Sequence, residues 1–486
     1  MNRGLGMQLQ PTDKIIINGQ LSEIGAEIAN QYQIGDAIVA TNSSGLLVIP
    51  GSEIRLVEDC VSKAQYAFEQ FAHVDSAAIR KFFALFASRL EDDQVFDLIK
   101  RANDIDVESA ARRGRSTTRL QLNQSMRKSM IDALHIWRDF DLEDSIDAMI
   151  EHRGWRVEAH RAPLGIVAFV FEGRPNVFAD ATGVLTSGNV CIFRIGSDAY
   201  ETAEAIMKNA VLPSLVEAGL PIECVTLLPS KSHSSAWALF SHPKIDLAVA
   251  RGSGSSVSLL GEIAQQQGTP VSLHGTGGAW MIISQTSTPD NLRNVITNSL
   301  DRKVCNTLNT IVFVKEYAKA NIAHAVTAIC DAAKARSARC VIHFHESITE
   351  FFDVQSSIPN TEFRPIAIDD LYKEWEWENE PEVSLICVDN ISEALSLFNS
   401  QSPFFVLSVV SDNADDVEYC WRNSNAPFFC NGFTRWVDGQ YALLKPELGL
   451  SNWQQGRTLA RGGILSGDSM YTVRYRATQV DSSIKR

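Results

Sequence analysis

The feature that most constrains the fold of this chain is a regular alternation of short apolar runs with helical segments from residue 164 onward. Strands are predicted at 164–171, 190–194, 224–228, 245–251 and 270–274. Helices are predicted between them at 178–186, 198–218, 233–240 and 255–267. A second series of strands begins near Ala279, at 280–284, 310–314, 340–344, 384–388, 405–410 and 427–430. Because strands alternating with helices imply βαβ crossovers, we predict an α/β chain with two doubly wound parallel-sheet domains.

The flanking segments have a different texture. Residues 53–150 are predicted to be helical, since 77–90 and 121–137 place apolar residues at three- and four-residue intervals. Two outlying strands, 155–159 and 471–475, lack helices beside them, and such strands often pair with each other or with another subunit. We therefore predict a nucleotide-binding domain (1–150 and 164–278), a catalytic domain (279–465) and a small β oligomerisation ribbon (151–163 and 466–486) in a homodimer or homotetramer.

Composition excludes several partner classes. The net charge of −14 argues against nucleic acid or an anionic membrane. The nine cysteines are scattered without metal-ligand spacing, which predicts reduced thiols and no metal. With no apolar stretch of 18 residues and no N-terminal signal pattern, the prediction is a cytoplasmic protein.

One cysteine stands out by its neighbours. Cys305 lies in the run Asp301-Arg302-Lys303-Val304-Cys305-Asn306-Thr307, next to two cations and just before the apolar run 308–314. A nearby cation favours the thiolate, which is the attacking species, and the position predicts the mouth of a strand. The alternative is an ordinary cysteine.

Two turns that follow predicted strands suit a nucleotide. Gly252 and Ser253 open a helix, where glycine permits close approach and the helix N-terminus attracts phosphate. Arg194 and Ser197 suit a ribose or a 2′-phosphate. The alternatives are a plain βα loop and a surface arginine with an N-cap serine.

Further turns bring together amides and charges. In the turn 172–176, Asn176 is a candidate oxyanion donor and Arg174 a candidate carboxylate or phosphate ligand, with a helix cap as the alternative. Arg435, in the turn 431–436, is a second carboxylate-binding candidate. The run 374–378 is predicted to be a solvated acidic face with partly buried tryptophans, and metal binding there is a remote alternative.

Together these motifs resemble the aldehyde dehydrogenase superfamily, and most of all its glutamate-5-semialdehyde dehydrogenase branch, also called γ-glutamyl phosphate reductase. The likeness runs in order from about residue 55 to 480. The stretches that carry it are 162–167, 172–177, 187–189, 193–199, 251–253, 304–306, 431–435 and 459–462.

The resemblance implies a reaction and a role for each matched residue. Cys305 would be the nucleophile, with Asn176 and the Cys305 backbone N–H as oxyanion donors. NADP(H), with NAD(H) as an alternative, would be bound by Arg194, Ser197, Gly252 and Ser253. The substrate pocket would contain Asn306, Asn431, Thr434 and Arg435. The reaction would reduce γ-glutamyl phosphate to glutamate 5-semialdehyde through a Cys305 thioester, in proline biosynthesis, with a glutamate kinase as a possible partner that supplies the acyl phosphate.

The chain also departs from the pattern of that branch. His274-Gly275-Thr276-Gly277 stands where an acidic Asp-Gly turn is usual, and the lead-in 301–303 is shorter and lacks Arg-Pro-Gly. No general-base glutamate occurs in 273–278, which fits an acyl-transfer reductase. Two alternatives remain: a reductase of another acyl phosphate or an acyl-CoA, and a relative that binds nucleotide without catalysis.

Overall fold

The structure is a computed structural model, and it describes residues 8–17, 19–115, 117, 119–141, 146–286, 288–354, 358–450 and 463–484. These divide into two compact units. The first unit contains the described residues up to Gly275 together with 444–449 and 464–484. The second contains those of 276–443 with 450 and 463.

The first unit begins with two antiparallel hairpins around one short helix, followed by four longer helices. The hairpins are β1 (Lys14–Ile17) with β2 (Gln20–Glu23), and β3 (Ala37–Thr41) with β4 (Gly45–Ile49), on either side of α1 (Ala26–Gln31). The helices are α2 (Gly51–Phe71), α3 (Ser76–Glu91), α4 (Asp93–Arg112) and α5 (Gln124–Arg138). The predicted helices at 77–90 and 121–137 are confirmed as α3 and α5. Their starts are fixed by the side chains of Asp75 and Asn123, which accept hydrogen bonds from first-turn N–H groups.

After β5 (Ile146–His152) and β6 (Trp155–Pro163), the chain enters a five-stranded parallel sheet of order β11-β10-β7-β8-β9. Its strands are β7 (Ile166–Phe171), β8 (Val190–Ile195), β9 (Val225–Leu227), β10 (Leu247–Arg251) and β11 (Val271–His274). The intervening helices are α6 (Val177–Ala181), α7 (Tyr200–Ile206), α8 (Leu212–Ala218), α9 (His233–Phe240) and α10 (Gly254–Gln266). All five predicted strands are confirmed within two residues. The phenylalanine rings of β7, β8 and α6 pack together in the core, with the ring centroids of Phe178 and Phe193 4.7 Å apart.

The predicted helix 178–186 is wrong in part. α6 ends at Ala181, and the chain continues as a 3-10 helix over Thr182–Ser187. The hydroxyls of Thr182, Thr186 and Ser187 donate to carbonyls three or four residues back. Such side-chain bonds compete with the regular α-helical pattern, which explains the tighter turn.

The second unit is built on a seven-stranded parallel sheet of order β15-β14-β16-β13-β12-β17-β18. Its strands are β12 (Ala279–Ile283), β13 (Leu308–Val314), β14 (Cys340–Phe344), β15 (Thr361–Pro365), β16 (Glu382–Val388), β17 (Val406–Val410) and β18 (Phe428–Cys430). The helices are α11 (Pro289–Asn298), α12 (Lys315–Ala335), α13 (Ile391–Gln401), α14 (Ala414–Asn423) and α15 (Gly439–Ala442). Alternate residues of β12 enter different hydrophobic clusters, so both faces of this sheet are covered. The six predicted strands are confirmed, and the edge strand β15 was not predicted.

Two short strands, β19 (Gly449–Leu450) and β20 (Ile464–Leu465), precede the last strand, β21 (Tyr471–Gln479). β21 pairs with β6 along its whole length, from Tyr471 opposite Pro163 to Gln479 opposite Trp155. The two outlying strands thus pair with each other, and β5 adds a third, fully exposed strand. The oligomerisation role of this ribbon stays a prediction. Within the described ranges, no helix has the length and apolarity needed to cross a bilayer.

Candidate active site

Cys305 lies in a turn, three residues before β13 begins, and its side chain is half-buried. The predicted position at the mouth of a strand is confirmed. The carbonyl of Cys305 accepts a hydrogen bond of 2.7 Å from the Gly278 N–H. The Thr307 hydroxyl accepts from the Val304 N–H at 2.9 Å and donates to the Arg302 carbonyl at 2.7 Å. The turn around the thiol is therefore fixed by main-chain and hydroxyl bonds on both sides.

Gly277 packs directly against the cysteine. A Cβ at residue 277 would stand 2.4 Å from the Cys305 carbonyl oxygen and 2.8 Å from its Cα. These distances are far below van der Waals contact, and both atoms belong to the backbone. Glycine is required at this position because no side chain fits between the two segments.

The charges before the cysteine are arranged differently from the prediction. The Lys303 side chain is only 5% exposed, and its ammonium forms an ion pair with Glu374. Glu374 is 13% exposed and also accepts a hydrogen bond from the Gly277 N–H. The prediction of a solvated face at 374–378 is therefore wrong for Glu374, although Glu376 is 66% exposed and both tryptophans are at least partly buried. The charge of Lys303 is balanced by a carboxylate.

Three of the predicted substrate residues meet around the turn of Cys305. The Asn306 side chain donates to the Val437 carbonyl at 2.7 Å, and the Thr434 hydroxyl donates to the Asn306 carbonyl at 2.8 Å. Arg435 donates from Nη1 to the Asn306 side-chain oxygen and from Nε to Asp301 Oδ1, the latter at 2.7 Å. Asn306 and Thr434 are buried, so these residues brace the nucleophile turn through protein atoms.

Asn431 lies just past β18 and is exposed. The matched stretch 459–462 lies outside the described residues. In the part of the chain that the structure describes, no three His, Cys, Asp or Glu side chains gather as a metal site requires.

In the first unit, Asn176 and Arg174 occupy the turn between β7 and α6. The Asn176 amide nitrogen donates to Asp180 Oδ2 at 2.7 Å, and its side chain makes no capping bond to the helix backbone. Asn176 thus occupies the N-cap position of α6, as the helix-cap alternative states, but it caps the helix through its main-chain carbonyl and leaves its side chain to Asp180. An amide nitrogen carries two hydrogens, so the bond to Asp180 fixes the direction of the second. Arg174 is half-buried.

Arg194 is buried at the end of β8, so the alternative of a surface arginine is wrong. Its guanidinium donates to the carbonyls of Ser232 at 2.8 Å and Lys231 at 3.3 Å, just before α9. Loss of hydration in this position lowers the pKa of Arg194. Ser197 lies beyond it in the β8–α7 loop and is half-buried.

Gly252 and Ser253 lie where the strand order of the first sheet reverses, between β7 and β10. Ligands of open parallel sheets bind in this crevice, at the carboxyl ends of the strands. Here Glu172, from the end of β7, accepts a hydrogen bond of 2.9 Å from the Ser253 N–H. A Cβ on Gly252 would stand 2.5 Å from the Glu172 carboxyl carbon, so glycine makes room for that carboxylate. The prediction of phosphate binding at Gly252 and Ser253 did not include the contact with Glu172, although Glu172 lies within one of the matched stretches.

These residues fit a nicotinamide dinucleotide. Gly252, the Ser253 N–H and the N-terminus of α10 lie against the Glu172 carboxylate, and a carboxylate is the group that ribose hydroxyls bind in related crevices. The positive charge of Arg194 is directed to the start of α9 instead.

The chain is similar in sequence and in fold to known proteins. Residues 37–334 match the model of the aldehyde dehydrogenase family. The gamma-glutamyl phosphate reductase of Afipia carboxidovorans is 26% identical over 420 residues, which are 84% of this chain and 92% of that protein. The crystal structure of gamma-glutamyl phosphate reductase from Thermotoga maritima has a TM-score of 0.74 at 21% identity and covers 88% of this chain and 100% of that one.

A third relative was solved with a cofactor. Glyceraldehyde-3-phosphate dehydrogenase of Methanocaldococcus jannaschii, in complex with NADP, has a TM-score of 0.64 at 13% identity and covers 91% of this chain and 98% of that one. At these identities the solved structures establish a shared fold, and the predicted fold class is confirmed.

Proposed function

The chain belongs to the aldehyde dehydrogenase family and is an oxidoreductase of that type, and we propose that it reduces γ-glutamyl phosphate to glutamate 5-semialdehyde and phosphate with NADP(H), or with NAD(H) as the alternative. The observation that carries the proposal is the turn of Cys305, held by Gly277 and Gly278 on one side and by Asn306 and Thr434 on the other. The similarity to the gamma-glutamyl phosphate reductase that is 26% identical supports the choice of γ-glutamyl phosphate as the substrate.

The proposed mechanism begins at the Cys305 sulfur. The thiolate attacks the acyl carbon, the bond from that carbon to the phosphate oxygen breaks, and phosphate leaves with the electron pair. A thioester on Cys305 remains. When bound, the nicotinamide nucleotide would supply the hydride for the reduction of this thioester. The product on Cys305 is the oxyanion of a thiohemiacetal, and its collapse releases the aldehyde and returns the Cys305 thiolate.

Neighbouring residues have proposed roles in this sequence. The Cys305 N–H and the Asn176 amide are the proposed oxyanion donors. Removal of one such donor raises the activation free energy by on the order of 3 kcal/mol. Gly252, Ser253 and Ser197 are the proposed cofactor contacts, and Arg194 holds the nearby start of α9. Because a reductase of this kind need not activate water, the lack of an acid in 273–278 is consistent with the reaction.

A second candidate function follows from Asp301. Its carboxylate already bonds to the Arg435 guanidinium, which is the proposed anchor for a substrate carboxylate. A guanidinium whose charge is already balanced by one carboxylate binds a second carboxylate less well. This contact favours an acyl phosphate or acyl-CoA without a free carboxylate as the alternative substrate class. The homo-oligomer and a kinase that supplies the acyl phosphate remain predictions.

The test compares Cys305→Ala with a matched control, Cys330→Ala, which removes another half-buried thiol. We expect Cys305→Ala to abolish phosphate-dependent NADP reduction with glutamate 5-semialdehyde and to keep nucleotide binding, measured by fluorescence titration. The control should retain turnover. Normal turnover in Cys305→Ala would refute the nucleophile, and faster turnover with CoA and simple aldehydes than with glutamate semialdehyde would favour the second candidate.

A further inference from the structure

We propose that Glu374 is a positioning residue for the nucleophile, an inference that rests on the proposed function of Cys305. Its carboxylate joins two segments that flank the cysteine. One oxygen pairs with Lys303, two residues before Cys305. The other accepts from the N–H of Gly277, whose α-carbon packs on the Cys305 backbone. The Glu374 side chain thus connects the lead-in, residues 301–303, with Gly277, which packs against Cys305.

The position of Glu374 is itself fixed from β13, the strand that follows the nucleophile. The buried side chain of Asn309 bonds to the main chain on both sides of Glu374. Its oxygen accepts from the Trp375 N–H at 2.8 Å, and its nitrogen donates to the Lys373 carbonyl at 2.8 Å. The carboxylate is therefore held at a set distance from the start of that strand.

The neighbouring tryptophan adds a second anchor. The Trp375 ring stacks on His343 with centroids 3.7 Å apart and planes 3° from parallel. Its indole nitrogen donates to the Ser384 hydroxyl at 2.8 Å. Since β14 and β16 carry these two partners, the segment with Glu374 is fastened to three strands of the sheet.

The burial of the ion pair gives Glu374 its leverage. Lys303 is 5% exposed, so removal of the Glu374 carboxylate leaves its ammonium in a place with little water, with the exposed Glu376 as an ion-pair partner at the longer distance of 3.7 Å. A buried charge that keeps so distant a partner is unfavourable, and the lead-in is expected to move to bring Lys303 closer to Glu376 and to solvent. Glutamine at 374 still offers an oxygen to the Gly277 N–H and cannot balance Lys303. Glu374→Gln therefore separates the ion pair from the hydrogen bond.

A displaced nucleophile affects chemistry more than substrate binding. A misplacement of about 1 Å costs about 100-fold in rate. We expect Glu374→Gln to lower kcat at least about tenfold and to leave KM for the acyl phosphate within about twofold. The matched control is Glu376→Gln, which removes an acid 3.7 Å from the same ammonium on an exposed side chain and should change neither constant.

A second measurement needs no substrate. Hydrogen–deuterium exchange of the peptide that covers 302–308 should speed up in Glu374→Gln and stay at the wild-type rate in Glu376→Gln. If the wild type does not turn over the acyl phosphate, the proposed function fails and Glu374 is judged on exchange alone. Unchanged exchange, a kcat within twofold of wild type, or a raised KM with normal kcat would each overturn the proposal.

Where Glu374→Gln does not fold, the double variant Lys303→Met with Glu374→Leu replaces the test, since it leaves no buried charge. It also lacks the acceptor for Gly277. A low kcat with normal KM in this folded variant supports positioning by Glu374. Wild-type kcat shows that the contacts are dispensable and overturns it.

Discussion

Substitution of Gly277 by alanine is expected to disable the enzyme by moving its nucleophile. The added Cβ would stand 2.4 Å from the Cys305 carbonyl oxygen, 2.8 Å from its Cα and 2.9 Å from its Cβ. Since non-bonded heavy atoms settle near 3.5 Å, the two segments must part by about 1 Å. A shift of about 1 Å in a reacting group costs about 100-fold, so we expect kcat/KM to fall by about that factor, or about 2.7 kcal/mol.

The accompanying loss of stability is expected to be modest. Overpacking of this kind costs about 1–3 kcal/mol, which a chain of this size tolerates. The assay is acyl-phosphate reduction followed at the nicotinamide absorbance, with a thermal unfolding scan of the same sample. Gly432→Ala is the matched control for the scan, because an added Cβ there meets nothing within 4 Å. If Gly277→Ala keeps kcat/KM within threefold of wild type, the inferred dependence on close packing is refuted.

Three further substitutions or probes test other contacts. Asp301→Asn removes the carboxylate that lies 2.7 Å from Arg435 Nε. We expect KM for a carboxylate-bearing acyl phosphate to fall about threefold to tenfold in steady-state assays. An unchanged KM would count against the second candidate function. Hydrogen bonding lowers the pKa of Cys330 and raises that of Cys340 4.0 Å away, so iodoacetamide near pH 7 should label Cys330 before Cys340, as followed by mass spectrometry; equal labelling of the two thiols would contradict this. Burial lowers the pKa of His343, so its contribution to stability is complete above the unfolded pKa of about 6.5 and is lost as pH falls through the folded pKa. The unfolding midpoint of His343→Gln should then depend less on pH between about 7.5 and 5 than that of the wild type, and parallel curves would exclude this residue.

The sheets could be predicted from sequence because their strands are buried on both faces. β7 and β13 are continuous apolar runs, which is the pattern that central parallel strands require. The strand β15, Thr361–Pro365, was missed because it lies at a sheet edge and has charged residues with little burial. The strand β5 was missed for the same reason, since all seven of its residues are exposed.

The candidate site was predictable only where one segment determines it. Cys305 could be placed at a strand mouth because the apolar run follows it directly. The pairing of Lys303 with Glu374 could not, because 71 residues separate them and several other acids were equally available in sequence. The orientation of Arg194 also depends on a loop 37 residues away, whose carbonyls compete with any ligand for the guanidinium.

The lead-in 301–303 has a consequence for how such enzymes can be recombined. Two of its three residues depend on partners that are distant in sequence within the second unit: the Asp301 carboxylate on Arg435, the Asp301 carbonyl on Arg336, and the Lys303 ammonium on Glu374. A chimera that contains the nucleophile loop of a relative would leave all three partner side chains without these contacts. The residues that must be exchanged together are therefore not contiguous in sequence. We expect residues 301 and 303 to be exchangeable only together with 374 and 435.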